Sequence, residues 1–333
     1  MRKLICVAAL TCASALFAQG PKKVVVIGIP PAEVQELQTA VSTVRLVPAS
    51  GAAVLREIAD ADAVLGTVSP EQFRAAKKLK WMHVHSAGVE NAMFPELVQS
   101  NVVVTNAKNV YGPQIADHAF AFLLSLTRKL NTTIPNQSKE EWPRGREGMF
   151  ELNGKTAVII GVGGIGSNIA QRAHGFGMKV IGVDLRDIPP SNVLQKVVHP
   201  DRLNEVLPEA DVVFISAPHT KKTEGMMGPA QFNLLKKGTY YIAVSRGKIT
   251  NTGALVKALD EGRLAGAGLD VVDPEPLPKG HPLWKFPNVV ITPHTAGGSD
   301  NLQGRLHSLL LENLKRFGNG EPLINVVNKA EGF

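Results

Sequence analysis

From Lys22 onward the chain alternates short apolar runs with longer stretches whose apolar residues recur every three or four positions. Lys22–Gly28, Val44–Val47, Ala63–Leu65, Met82–Val84 and Val102–Thr105 read as buried strands, and Pro31–Ala40, Ala52–Ala59 and Glu71–Lys78 as the helices between them. This alternation predicts a parallel sheet with crossover helices. Gln114–Leu130 has one broad apolar face, built from Ala116, Ala119, Phe120, Leu123, Leu124 and Leu126, and reads as a long helix. Asn131–Phe150 is polar and carries Pro135, Pro143 and Gly145, so a connecting arm or loop is expected there. A second series follows, with strands at Thr156–Ile160, Lys179–Val183, Val212–Ser216, Tyr240–Val244 and Leu264–Leu269, and a helix at Ile165–His174. A terminal helix, Ser299–Phe317, carries Leu302, Leu306, Leu309, Leu310 and Leu314 on one face. Two such series predict an α/β protein with two doubly wound parallel-sheet domains.

The first residues do not share this pattern. A short basic start, Met1-Arg2-Lys3, is followed by Leu4–Ala18 without a charge and by small residues at its end. Residues 1–18 are therefore expected to be a secretory signal peptide, cut after Ala18 or Ala15, and the mature protein to be exported to the periplasm or medium. The run is shorter than a bilayer-spanning helix needs, so no membrane association is expected after cleavage. The alternatives are a retained anchor or a buried first helix. Both cysteines, Cys6 and Cys12, fall in this segment, so the mature chain would have no disulfide, catalytic thiolate or cysteine-bound zinc. No metal is expected.

Composition narrows the partners. With 333 residues, 44% apolar and 20% charged, the chain is an ordinary globular one with room for two domains. Its formal charge is +7, but the basic residues are scattered and aromatics are only 5%, which argues against nucleic-acid binding. A basic balance suits a small anionic substrate or cofactor.

The most informative segment is Gly161-Val162-Gly163-Gly164-Ile165-Gly166, directly after an apolar strand and opening a helix. Gly161 permits the tight turn, Gly163 admits a pyrophosphate close to the backbone, and Gly166 lets the helix pack against the strand. The helix N-terminus offers free N–H groups and the positive end of its dipole. The next strand ends at Asp184, placed to accept hydrogen bonds from ribose hydroxyls and to repel a 2′-phosphate. NAD is thus expected rather than NADP, with Arg186 the one nearby residue suited to the latter.

Three further polar clusters occur at predicted strand ends, where ligands sit in open α/β sheets. They are Val244-Ser245-Arg246-Gly247, Gly268-Leu269-Asp270 running on to Asp273-Pro274-Glu275-Pro276, and Thr292-Pro293-His294-Thr295-Ala296. With these motifs, from about Val24 to Val327, the sequence resembles the D-isomer-specific 2-hydroxyacid dehydrogenases. The resemblance implies a Rossmann dinucleotide-binding domain and a flavodoxin-like substrate domain. It implies that Arg246 holds the substrate carboxylate, that His294 moves the proton, and that Glu275 holds His294. Those residue types suit the tasks: a guanidinium pairs bidentately with a carboxylate, and imidazole exchanges protons near neutral pH. A Glu beside the His, rather than Gln, argues against the related formate enzymes.

The first half joins the resemblance through Trp81–Glu90. Ser86, Ala87 and Gly88 correspond to a loop whose backbone N–H groups take the substrate carboxylate, with His83 and His85 structural or pocket-lining. Ala217, Pro218, Thr223, Val244, Ser245 and Asp270 correspond to cofactor contacts, Asp270 near the nicotinamide carboxamide. Tyr111, His85 and Trp284 are candidate pocket walls. Asp117 stands where the family commonly has Glu, Ala243 where it often has Asn, and Ile249-Thr250-Asn251 where it often has Val-Asp-Glu. The expected domains are 21–113 with 299–333 for substrate and 114–298 for NAD. The expected activity is hydride transfer between NAD(H) and a small 2-hydroxy or 2-oxo acid, of the D configuration, by a homodimer joined through the 131–150 arm. The rival reading is an exported dinucleotide-binding sensor without turnover.

Overall fold

A computed structural model of the chain describes residues 20–145 and 147–333. The expected signal peptide and both cysteines lie outside the described residues. Five strands, β1 (Lys22–Val26), β2 (Val44–Pro48), β3 (Ala63–Leu65), β4 (Trp81–Val84) and β5 (Val103–Asn106), form a parallel sheet in the order β2-β1-β3-β4-β5. Seven more form a second parallel sheet: β6 (Thr156–Ile160), β7 (Lys179–Val183), β8 (Lys196–Val198), β9 (Val212–Ile215), β10 (Thr239–Ala243), β11 (Leu264–Leu269) and β12 (Val289–Ile291). Their order is β12-β11-β10-β9-β6-β7-β8. The chain therefore winds outward in both directions from β6, which opens a crevice at the carboxyl ends of β6 and β9. Val24–Val26, Ala157–Ile160 and Val212–Ile215 are almost wholly shielded from solvent, as strands covered by helices on both faces must be.

Two long helices tie the sheets together. Gly112–Thr127 begins beside the first sheet but buries Ala116, Ala119 and Leu123 against Ile159, Phe214 and Ile242 of the second. The last helix, Leu302–Asn319, returns to the first sheet, packing Leu310, Leu314 and Phe317 against Val24, Val44 and Trp81. The two crossings are bonded to each other. Arg305 donates to the Val110 carbonyl at 2.9 Å and to Gln114 Oε1 at 2.8 Å, and Gln114 donates to the Gly297 carbonyl at 3.0 Å. Beyond the last helix the chain pairs antiparallel with β5 at Thr105 and Val326. Lys329 then reaches back to the carbonyls of Leu97, Ser100 and Val102 at 3.1, 2.5 and 3.1 Å.

One expectation changes. The stretch 131–150 is not all loop, because Leu130–Gln137 is helical despite Pro135. The Thr132 and Thr133 hydroxyls join their own amides on the Lys129 carbonyl, at 3.0 and 2.8 Å, in the first turn.

Candidate active site

The phosphate loop is built by close packing. Gly161 has φ of +92°, and a Cβ there would meet the Ala217 Cα at 2.5 Å, so the turn admits only glycine. A Cβ on Gly166 would overlap the Gly161 carbonyl, the close helix–strand approach that the motif requires. Ser216 donates to the same carbonyl at 2.7 Å and ties β9 to the loop. Gly163 differs: it starts the Gly164–Gly175 helix, no side chain caps that helix, and a Cβ on it would meet nothing within 4 Å. Its first-turn amides have no partner within the helix. Gly163, Gly164 and Ile165 line an open cleft of about 180 Å³, while Gly166 stays in the packing beneath.

Asp184 lies at the end of β7. It accepts from the Val162 amide at 2.8 Å, fixing the loop, and pairs with Arg186, whose Nε is 2.9 Å from Oδ1 and Nη2 3.1 Å from Oδ2. Burial pushes the carboxyl up, but Arg186 and the backbone donors prevail and hold it below the usual carboxylate range. Both residues line the cleft, so the ribose end presents a paired acid and base.

The remaining cofactor candidates divide. Pro218 and Ser245 line the cleft, and the buried Ser245 hydroxyl has no protein partner among the described residues. Ala217 and Val244 turn their side chains into the core. Thr223 donates to the Pro218 carbonyl at 2.7 Å and accepts from the Thr220 amide at 2.8 Å, so its hydroxyl shapes its own loop. Ile249, Thr250 and Asn251, where the sequence departs from the family pattern, are fully satisfied. Ile249 is buried, Thr250 bonds the Tyr241 hydroxyl at 2.6 Å, and Asn251 caps the next helix. Asp117 accepts from Arg172 at 2.8 Å.

Opposite the phosphate loop, the turn after β4 is fastened from behind. Ser86 donates to the Gly88 carbonyl at 2.6 Å, and Asn106 to the Ala87 carbonyl at 2.6 Å. Among the described residues, the amides of Ala87, Gly88 and Val89 donate to no protein acceptor. Arg246 comes from the other domain and lies so close that any Cβ on Gly88 would overlap its guanidinium. Free amides beside a guanidinium have the donors that a carboxylate can accept from. Glu90, which the sequence reading left without a task, accepts from Arg246 Nε. Burial pushes its carboxyl up, yet Arg246, its own backbone amide and His219 keep it below the usual range.

His294 and Glu275 follow β12 and β11, next to the β10 end that carries Arg246. His294 Nδ1 lies 2.7 Å from Glu275 Oε1, and both side chains reach solvent. The His294 backbone has φ of +54° and its amide donates to the Asp270 and Thr292 carbonyls at 2.9 and 3.0 Å. Asp270, expected near the nicotinamide carboxamide, stands directly after β11. Its side chain is buried and bonds inward, to the Thr292 hydroxyl and to the amides of Thr295 and Ala296. It positions the loop that carries His294.

His83 is structural. It is buried, bonds Thr105 at 2.8 Å, and desolvation together with the His85 charge pushes it down to about 3. Tyr111 lines the cleft and donates to the His85 carbonyl at 3.0 Å, whereas Trp284 is exposed. The cleft also takes in Gly332 and Phe333, and Glu331 pairs with Lys222 of the dinucleotide domain at 3.2 Å.

An uncapped helix N-terminus, a glycine open to the cleft, an acid at the next strand end and an orphaned serine hydroxyl together fit a dinucleotide. Comparison with known proteins agrees. The model of the D-isomer specific 2-hydroxyacid dehydrogenase NAD-binding domain matches residues 120–296, and the chain belongs to that family. It is 34% identical over 291 residues to a glyoxylate reductase of Korarchaeum cryptofilum, covering 85% of this chain and 87% of that protein. Among solved structures it resembles the D-lactate dehydrogenase of Aquifex aeolicus in complex with NAD and lactic acid, at a TM-score of 0.73 and 26% identity, over 90% of this chain and 96% of that one. It also resembles the NADPH-dependent glyoxylate/hydroxypyruvate reductase of Sinorhizobium meliloti in complex with NADP and sulfate, at 0.79 and 25%, over 94% and 100%. The protein is a nicotinamide-dependent 2-hydroxyacid dehydrogenase.

Proposed function

We propose that the physiological substrate is a small 2-oxo acid of glyoxylate size, reduced to its hydroxy acid, with D configuration where the product is chiral. The observation that carries this is the pairing of a free-amide loop with Arg246 beside the His294–Glu275 couple at neighbouring strand ends. When bound, the dinucleotide supplies or accepts the hydride at substrate C2. The protein does the rest. Arg246 and the amides of residues 87–89 hold the carboxylate. Nδ1–H of His294 donates to Glu275, which fixes the tautomer and leaves Nε2 to carry the transferred proton. In reduction the imidazolium gives that proton to the substrate oxygen, and Glu275 stabilises its positive charge. Domain closure about the Arg305–Gln114 crossing would exclude water.

The preferred cofactor in this reading is NAD, since Asp184 stands where a 2′-phosphate would lie; its pairing with Arg186 weakens that repulsion. Homodimerisation is supported by exposed apolar residues on the 131–150 arm, Ile134 at 61% and Trp142 at 88% exposure. Export rests on the leader pattern of residues 1–18. The test is a panel of 2-oxo acids with NADH and with NADPH, followed by loss of reduced cofactor. No turnover on any member would overturn the reading in favour of a binding protein.

A further inference from the structure

Glu90 raises a question about the anchor for the substrate. The Arg246 guanidinium gives Nε to Glu90, gives Nη1 to the Ser245 carbonyl at 2.7 Å, and turns Nη2 toward Gly88. Glu90 Oε2 lies beside the same glycine, where a Cβ would meet it at 2.6 Å. An internal carboxylate thus touches both the cation and the glycine that define the carboxylate site. Side-chain exposures of 31% for Arg246 and 29% for Glu90 leave the pair largely shielded from water. The other charged groups near Glu90 are His219 from the loop after β9 and, along the same cleft, Lys108, Arg186 and Asp184.

We propose that Glu90 determines substrate selectivity by competing with the substrate carboxylate for Arg246. This rests on Arg246 being the carboxylate anchor. With Glu90 in place the free enzyme presents a neutral pair, not a bare cation. A plain anion gains little by displacing one carboxylate with another. A 2-oxo acid gains more, because its keto oxygen also engages His294 and its carboxylate takes the free amides of residues 87–89. Selectivity then comes from an element that disfavours the wrong ligand.

Glu90→Gln keeps an acceptor for Arg246 Nε and removes the charge. The probes are oxamate, a non-reacting 2-oxo-acid isostere, and acetate, both titrated against enzyme loaded with reduced cofactor. The variant is expected to bind oxamate about tenfold more tightly, as a partly screened like charge is lifted from the site. KM for the best 2-oxo acid should fall in parallel, with the change carried by KM rather than by kcat. Acetate should gain more than oxamate, so the ratio of the two affinities narrows. Reduced-cofactor fluorescence reports that the fold is intact; if the glutamine variant does not fold, Glu90→Ala carries the same expectation. Unchanged or weaker oxamate binding overturns the proposal. If the parent turns over 2-oxo acids while the variant gains no affinity, the selectivity role alone fails. If the parent reduces no 2-oxo acid, the catalytic reading fails while the oxamate comparison still decides the role of Glu90. If neither form binds oxamate, Arg246 is not the anchor and both fall.

Discussion

The amide of Thr295 donates to Oδ1 of buried Asp270 at 2.8 Å, fastening the segment that bears His294 to the end of β11. The Thr292 hydroxyl reaches the same oxygen at 2.5 Å and the Ala296 amide reaches Oδ2 at 3.0 Å. Three donors converge on one buried carboxylate, so the loop that carries His294 is held by a charge beneath it.

Asp270→Asn should therefore loosen that loop. The amide nitrogen cannot accept from the backbone, so at least one of the buried donors loses its partner. Hydrogen bonds to charged groups contribute about 1.5–3 kcal/mol each, and the variant should lose about that much stability. Urea unfolding measures it, and turnover should fall with it. An unchanged midpoint together with unchanged turnover would contradict this role.

Stability should also fall in mild acid because of His83. Its unfolded value is 6.5, whereas the buried ring protonates only at about 3. Between those values the unfolded chain binds more protons, so stability is full above about 6.5 and declines as pH drops, by up to about 1.4 kcal/mol per unit. Urea midpoints from pH 7 to pH 4 should show the slope, and His83→Gln, which cannot take up the proton, should flatten it. Parallel slopes in parent and variant would assign the acid sensitivity elsewhere.

Gly88→Ala tests the carboxylate site by shape alone. The new Cβ would overlap the Arg246 guanidinium and must push it aside. KM for the 2-oxo acid should rise by about tenfold or more, a loss of about 1.4 kcal/mol or more in binding. Reduced-cofactor affinity, read by fluorescence, should hold, since the phosphate loop lies on the other domain. A weakened cofactor with intact substrate binding would misplace the loop.

In the proposed reading, cofactor choice turns on Asp184 and Arg186. Arg186→Ala leaves the carboxylate unpaired beside a 2′-phosphate, so the ratio of NADH to NADPH efficiency should rise. Asp184→Ala frees the guanidinium for that phosphate, and the preference should narrow or reverse. Each tenfold change in the ratio of kcat/KM values corresponds to about 1.4 kcal/mol. If neither variant moves the ratio, specificity lies outside the pair.

Much of this was legible in the sequence because its signals are local. The glycines at 161, 163 and 166 directly follow an apolar strand, and Arg246, Glu275 and His294 each follow a strand-like run. What stayed hidden was set by distant contacts. Nothing near Glu90 announces that Arg246 will lie on it, since the two are 156 positions apart. For Asp270 the sequence suggested a cofactor contact, and only burial against three donors shows that it also fastens the loop of His294. The strand Lys196–Val198 is too short to show a period. The last residues, Gly332 and Phe333, enter the cleft only because Val326 and Lys329 lead the chain back along β5.

The proton relay gives the most direct test of the chemistry. His294 is held by Glu275 at 2.7 Å through Nδ1, which leaves Nε2 to exchange the proton. His294→Ala removes the group that the proposed relay uses and should lower turnover by about a hundredfold or more, as loss of a general acid–base does. Reduced-cofactor affinity should survive, because the phosphate loop belongs to β6 and its helix. Glu275→Gln keeps a hydrogen-bonding partner but removes the charge that stabilises the imidazolium. Reduction consumes the imidazolium, so the reductive turnover of this variant should fall below that of the parent. Steady-state reductive rates for the parent and both variants give the comparison. Near-parental turnover in either variant would take the proton away from this pair.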